Sequence, residues 1–165
     1  MTASAHHAIG NLIARYAELL DDGDFAGLGL LLADATFIGS GEPVHGSAAI
    51  ERLFRDTLIV YADGTPRTQH VVTNTVVEFD DDIDVDGGDG DGDDRPGTAA
   101  ARSYVTVLQA LPGLPLRPIA AGRYHDRFRR LDGRWRFTER RVRITLLGDV
   151  SHHLRAGNGD PRGGR

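Results

Sequence analysis

Two long alternating runs, residues 117–131 and 134–147, meet at Asp132-Gly133, and nothing else limits the possible folds of this chain so strongly. An Asp-Gly pair supplies the positive φ angles of a tight hairpin turn, so the two runs read as antiparallel neighbours. Residues 67–79 and 99–111 alternate in the same way, and Leu111-Pro-Gly-Leu-Pro115 forms a second turn. The region ahead of these strands has helical spacing. Ile9, Leu12, Ile13, Tyr16 and Leu20 predict an amphipathic helix from about residue 5, broken by Asp21-Asp-Gly-Asp24. Phe25 to Ala33 reads as a short second helix and Thr36 to Ile38 as a brief strand. A third helix starts at Ser47, its expected cap, and carries Ile50, Leu53, Phe54 and Leu58. Three helices followed by a four-stranded antiparallel meander predict an α+β fold with the helices packed on one sheet face; such a sheet, if strongly curved, encloses a pocket between itself and the helices. Trp135 and Phe137 share one face of the last strand, whereas Val142, Ile144 and Leu146 have the opposite parity, which predicts a bulge near residues 139–141.

The chain has 165 residues, 40% of them apolar, enough for one hydrophobic core. The expected organisation is a single domain over 1–150 with an acidic loop insert at 80–98, and a flexible tail over 151–165. No apolar run approaches the roughly 20 residues of a membrane span. The chain has no cysteine, which removes disulfides and thiolate metal sites. With no signal-like start, a cytoplasmic location is the expectation. The formal charge of −5 is unevenly spread. Residues 80–94 hold nine aspartates, and without them the rest of the chain stands at about +4. Neither value marks a nucleic-acid partner. Arg123, His125, Arg127 and Arg129 form a basic stripe, to which Arg140, Arg141 and Arg143 add. It lacks interleaved aromatics and reads as a solvated face or a dimer surface.

His70 is the leading candidate for chemistry. It sits in Arg67-Thr-Gln-His70-Val-Val-Thr-Asn74, where alternation puts Thr68, His70, Val72, Asn74 and Val76 on one face. An imidazole titrates near neutral pH, and one paired with a carboxylate is a natural general base. The alternative is a structural histidine bonded within a core.

The element order, together with Arg15-Tyr-Ala-Glu-Leu-Leu-Asp21-Asp-Gly-Asp24, the His70 segment, Gly122-Arg-Tyr-His-Asp-Arg-Phe128 and Leu131-Asp-Gly-Arg-Trp135-Arg-Phe137, resembles the SnoaL-like branch of the nuclear transport factor 2 (NTF2-like) superfamily. The resemblance covers roughly residues 5–147 and implies a cone of three helices on a curved antiparallel sheet with a mixed edge. It also implies an Asp21–His70 dyad, as in dehydratase-like and dehydrochlorinase members. Helical spacing alone does not point to Asp21, which lies about 135° from the centre of the apolar stripe at 100° per residue. A carboxylate in the last turn also opposes the helix dipole, at a cost of about 0.3–1 kcal/mol. Such a dyad implies a cofactor-free lyase, isomerase or cyclase with His70 as base and Asp21 orienting it. The substrate would be a small, largely apolar, carbonyl-bearing compound, of polyketide or steroid type, in a pocket lined by Tyr16, Phe54, Val72, Asn74 and Tyr124. No metal or cofactor is required, and a homodimer is the usual assembly of such folds. The alternative is a noncatalytic small-molecule-binding or oxygenase-small-subunit-like protein. An Asp21 oxygen within about 3.2 Å of a His70 nitrogen, at a cavity, separates the two.

The chain departs from the dehydratase pattern. Leu20 stands where that enzyme has a tyrosine, and Gly122 and Tyr124 stand where it has a serine and an asparagine. Scytalone dehydration itself is therefore not the expectation; Tyr16, Asn74, Arg123 and Tyr124 are the candidate substitutes for the missing carbonyl-polarising groups. Asp82-Ile-Asp-Val-Asp86-Gly87 matches half of a calcium loop, but Asp93 is shorter than the usual closing glutamate and no helices flank it, so a mobile loop is expected. His6, His7, His152 and His153 read as surface residues near the termini.

Overall fold

A computed structural model describes residues 4–80 and 97–156. Helix α1 (Ala5–Asp21) begins at Ser4, whose hydroxyl accepts the His7 backbone N–H, and buries Ile9, Ile13, Tyr16 and Leu20. It ends where Gly23 takes φ 71° and the Gly64 carbonyl packs into the space a side chain would fill. Asp24 then caps α2 (Phe25–Leu31), accepting from the Gly27 N–H at 2.9 Å. The third helix, α3 (Ser47–Thr57), starts one residue earlier than expected: Gly46 is the N-cap, and no side chain caps the helix.

The strands are β1 (Thr36–Ile38), β2 (Val44–His45), β3 (Thr68–Phe79), β4 (Gly97–Leu111), β5 (Leu114–Leu131) and β6 (Arg134–Leu147). They form one open, mixed sheet in the order β2-β1-β6-β5-β4-β3. The meander is antiparallel throughout, and β1 adds parallel to β6. This is the α+β fold that the alternating pattern and the helices before it imply, with the cone architecture that the family resemblance implies. Asp132 has φ 48° and Gly133 φ 71° in the tight β5–β6 turn, as the Asp-Gly signal requires.

Register shifts bend the long strands. On β6, Arg127 faces Glu139 and Phe128 faces Phe137, so Thr138 is the extra residue, just ahead of the interval expected from parity. The bulge turns Phe137, Arg140 and Val142 toward the helices. Arg140 is therefore not part of the basic outer stripe, and its side chain is fully buried. On β3 the pairing shifts between Thr73 and Val76, with Asn74 at φ 52°. Single-face alternation from Thr68 to Val76 ends there. Asn74 is exposed, Val76 turns outward, and Val77 and Phe79 pack against the core instead. No helix among the described residues is long and apolar enough to cross a membrane.

Candidate active site

β3 is an edge strand, so alternate backbone N–H groups along it have no neighbouring strand to bond. The end of α1 lies over this edge and supplies a carboxylate. Asp21 Oδ2 accepts the His70 backbone N–H at 2.7 Å, and Oδ1 accepts the Thr68 hydroxyl at 2.8 Å. Oδ1 also lies 2.6 Å from His70 Nδ1. A carboxylate only accepts, so Nδ1 carries the proton and Nε2 presents a lone pair. The His70 side chain is 6% exposed and that of Asp21 19%. The helical stripe misses Asp21 because its partner is a strand edge, off to the side of the face that α1 buries.

His70 lines a cavity of about 160 Å³ between helices and sheet. Its wall is mostly apolar, with Leu20, Phe54, Leu58, Val105 and Val107, and its polar side chains are His70, His153, Tyr16 and Tyr124. Burial pushes the Tyr16 hydroxyl up to about 12, against the lowering effect of Arg140, and raises Tyr124 well above its ordinary value. Both stay protonated at neutral pH. The two rings meet edge to face at 5.7 Å. The Arg140 guanidinium lies 3.9 Å from the Tyr16 ring centre and 4.2 Å from that of Tyr124. It is held by a bidentate pair with Asp126, Nε to Oδ1 at 2.8 Å and Nη2 to Oδ2 at 2.6 Å. Burial works to discharge Arg140, but the Asp126 charge and hydrogen bonds prevail and hold its pKa above the usual value.

The remaining polar side chain of the wall comes from a segment expected to be tail. His153 is 9% exposed, not a surface residue. Its segment is clamped by main-chain bonds: the Ile59 N–H donates to the His153 carbonyl, the Arg155 N–H to the Thr57 carbonyl, and Leu154 bridges to Leu58. Tyr61 Oη at 2.6 Å and Gln109 Nε2 at 3.1 Å both donate to the His152 carbonyl. Burial, reinforced by His70 and opposed by Asp21, holds the His153 pKa down at about 4.

Of the residues expected to line the pocket, Tyr16, Phe54 and Tyr124 do so. Val72 does not; it is partly buried and packs against the core. Asn74 is exposed at the β3 bulge, away from the cavity. Arg123 is exposed and donates to Tyr104 Oη at 2.9 Å. At Gly122 the Arg143 carbonyl fills the side-chain space, so the serine of the dehydratase pattern has no room there. The calcium-like segment 82–93 lies outside the described residues, and among the described residues no group of three or more His, Asp or Glu side chains is placed to hold a metal.

Three helices on an open mixed sheet, with an aspartate-paired histidine lining the cavity between them, define an NTF2-like α+β protein. The chain belongs to the SnoaL-like domain family, whose pattern it matches over residues 1–141. A variant of Rv3472, a Mycobacterium tuberculosis protein of unknown function, has a similar structure, with a TM-score of 0.61 and 26% identity over 85% of this chain and 71% of that one. A Nostoc punctiforme protein of unknown function with a cystatin-like fold has a TM-score of 0.66 at 19% identity, covering 91% of this chain and 98% of its own. A candidate scytalone dehydratase from Novosphingobium aromaticivorans has a TM-score of 0.61 at 19% identity, covering 94% and 95%. No curated protein matches the chain.

Proposed function

We propose that this chain is a cofactor-independent lyase, isomerase or cyclase that removes a proton from carbon next to a carbonyl, with His70 as the base. The observation that carries this reading is the 2.6 Å contact between Asp21 Oδ1 and Nδ1 of His70, the ring that lines the apolar cavity. Asp21 fixes the tautomer and stabilises the imidazolium that forms when Nε2 takes the proton. The cavity limits the buried part of the substrate: about 150 Å³ suffices for benzene, so one six-membered ring fills this site. A larger polyketide or steroid skeleton extends beyond it. The candidate dehydratase among the similar structures is in keeping with proton abstraction followed by loss of water. Gly122 and Tyr124, in place of serine and asparagine, argue for a different compound from scytalone.

A second reading has one observation in its favour. Asp21 also satisfies the His70 backbone N–H and the Thr68 hydroxyl, so the same carboxylate serves to dock α1 on the edge of β3 in a noncatalytic binding protein. Deuterium exchange separates the two. In D2O, with cyclohexanone and 2-tetralone as probes, the wild type speeds α-proton exchange followed by NMR, and His70→Gln loses about 10²–10⁴ of that acceleration. Exchange at the buffer rate for a ketone that binds, or equal rates in His70→Gln, overturns the catalytic reading.

A further inference from the structure

His153 has an unusual hydrogen-bond balance. Its Nδ1 is buried and has no partner, and among the described residues its Nε2 takes part in no hydrogen bond either. A buried N–H without an acceptor is rarer in proteins than an unpaired acceptor, so the proton of the neutral ring belongs on Nε2 and the lone pair on Nδ1. The ring lines the same cavity as His70, whose proton sits on Nδ1 because Asp21 accepts there. The two imidazoles thus present opposite chemistry to one apolar space, a lone pair at His70 Nε2 and an N–H at His153 Nε2.

We propose that His153 is the substrate-oxygen donor of this site, its Nε2–H binding the carbonyl oxygen of the compound whose carbon proton His70 removes. This rests on the cavity being the substrate site. The electrons balance within the substrate: the C–H pair becomes the new C=C bond, the carbonyl π pair moves to oxygen, and the proton goes to His70 Nε2. The oxygen, gaining charge, strengthens its bond to His153. The ring stays neutral at working pH because burial and the facing His70 both disfavour its cation, with Asp21 the one group opposing them. A neutral donor leaves His70 free to take a proton, which a second imidazolium would resist. The ligand class follows: a single ring bearing an acceptor oxygen, next to a carbon that carries a removable hydrogen.

The test compares cyclohexanone with methylenecyclohexane, which has the same ring and shape but CH2 in place of oxygen. Binding is followed by NMR titration of the protein. The wild type prefers the ketone about tenfold; His153→Phe loses the preference, and His153→Gln, whose amide nitrogen reaches the Nε2 position, restores most of it. The clamp on residues 152–155 runs through carbonyls, main-chain N–H groups and Arg155, so neither substitution releases the segment. An unchanged preference in His153→Phe, its loss in Tyr124→Phe alone, or no ketone preference in the wild type overturns the proposal. A His153-dependent preference without α-proton exchange sinks the catalytic reading and leaves the donor in place; exchange with a His153-independent preference does the reverse.

Discussion

The depressed pKa of His153 makes stability depend on pH in a way one substitution can isolate. In the unfolded chain a histidine titrates near 6.5, whereas in the fold burial and His70 hold His153 at about 4. Between these values the unfolded chain binds a proton that the folded one refuses. The contribution of a neutral His153 is therefore complete above about pH 7 and is lost as pH falls through 6.5 toward 4. The full loss is about 3 kcal/mol, at 1.36 kcal/mol for each pKa unit, and about 2 kcal/mol has gone by pH 5. For a chain of this size that corresponds to a fall of roughly 4–8 °C in melting temperature.

His153→Gln removes this titration while keeping a polar side chain of similar reach. Urea unfolding of wild type and variant at pH 7 and pH 5 gives a double difference: the variant loses about 2 kcal/mol less on acidification than the wild type. Other acid-sensitive groups, including Asp149, which Ser151 and Arg117 hold at about 2, contribute equally to both proteins and cancel. Histidine NMR gives the same quantity directly, because the His153 ring protons should stay unshifted down to about pH 5. Equal pH slopes in the two proteins, or a His153 resonance titrating near 6.5, refute the reasoning.

Asp126→Asn leaves the fully buried Arg140 without its counter-charge and should cost about 3–5 kcal/mol, read as a lower urea midpoint; adding Arg140→Met in that background should recover most of the loss. Asp21→Asn should reduce α-proton exchange by about 10²–10⁴, because an amide NH2 favours the wrong His70 tautomer, and should lower stability as well, since three donors converge on that carboxylate. Asn74→Ala should leave ligand binding and exchange unchanged, since Asn74 is exposed at the bulge, while φ 52° costs the alanine about 1 kcal/mol in thermal melts.

Much of the sheet was legible because its signals are local. Period-two alternation and Asp132-Gly133 specify β5, β6 and their register next to the turn, from Leu131 opposite Arg134 to Phe128 opposite Phe137, without reference to the rest of the chain. β1 was visible as a strand, but three residues carry no information about its parallel pairing with β6. Asp21 was hidden from periodicity for a geometric reason. A helix stripe reports which residues face the core, and Asp21 serves the unpaired edge of β3. Asn74 was misplaced because strict alternation has no means of registering an extra residue in β3.

The two polar groups missed around the cavity differ in how far the sequence announced them. Arg140 shares the parity of Val142 and Ile144, and Asp126 that of Tyr124 and Phe128, so one opposite charge on each inward face was there to be paired. Buried ions almost always occur with a partner, and a carboxylate between two inward aromatics calls for a cation on the neighbouring strand. Reading Arg140 with Arg141 and Arg143 as one basic stripe carried the parity of β6 straight through its bulge. His153 gave no such signal. Its segment has no period, and what docks it is mainly a set of main-chain bonds to residues about 95 positions earlier, made by atoms every residue possesses and joined by the Arg155 side chain. Polar chemistry supplied by regular elements can therefore be recovered from parity once bulges are placed, whereas chemistry supplied by a backbone-clamped terminal segment enters the site through three-dimensional structure alone.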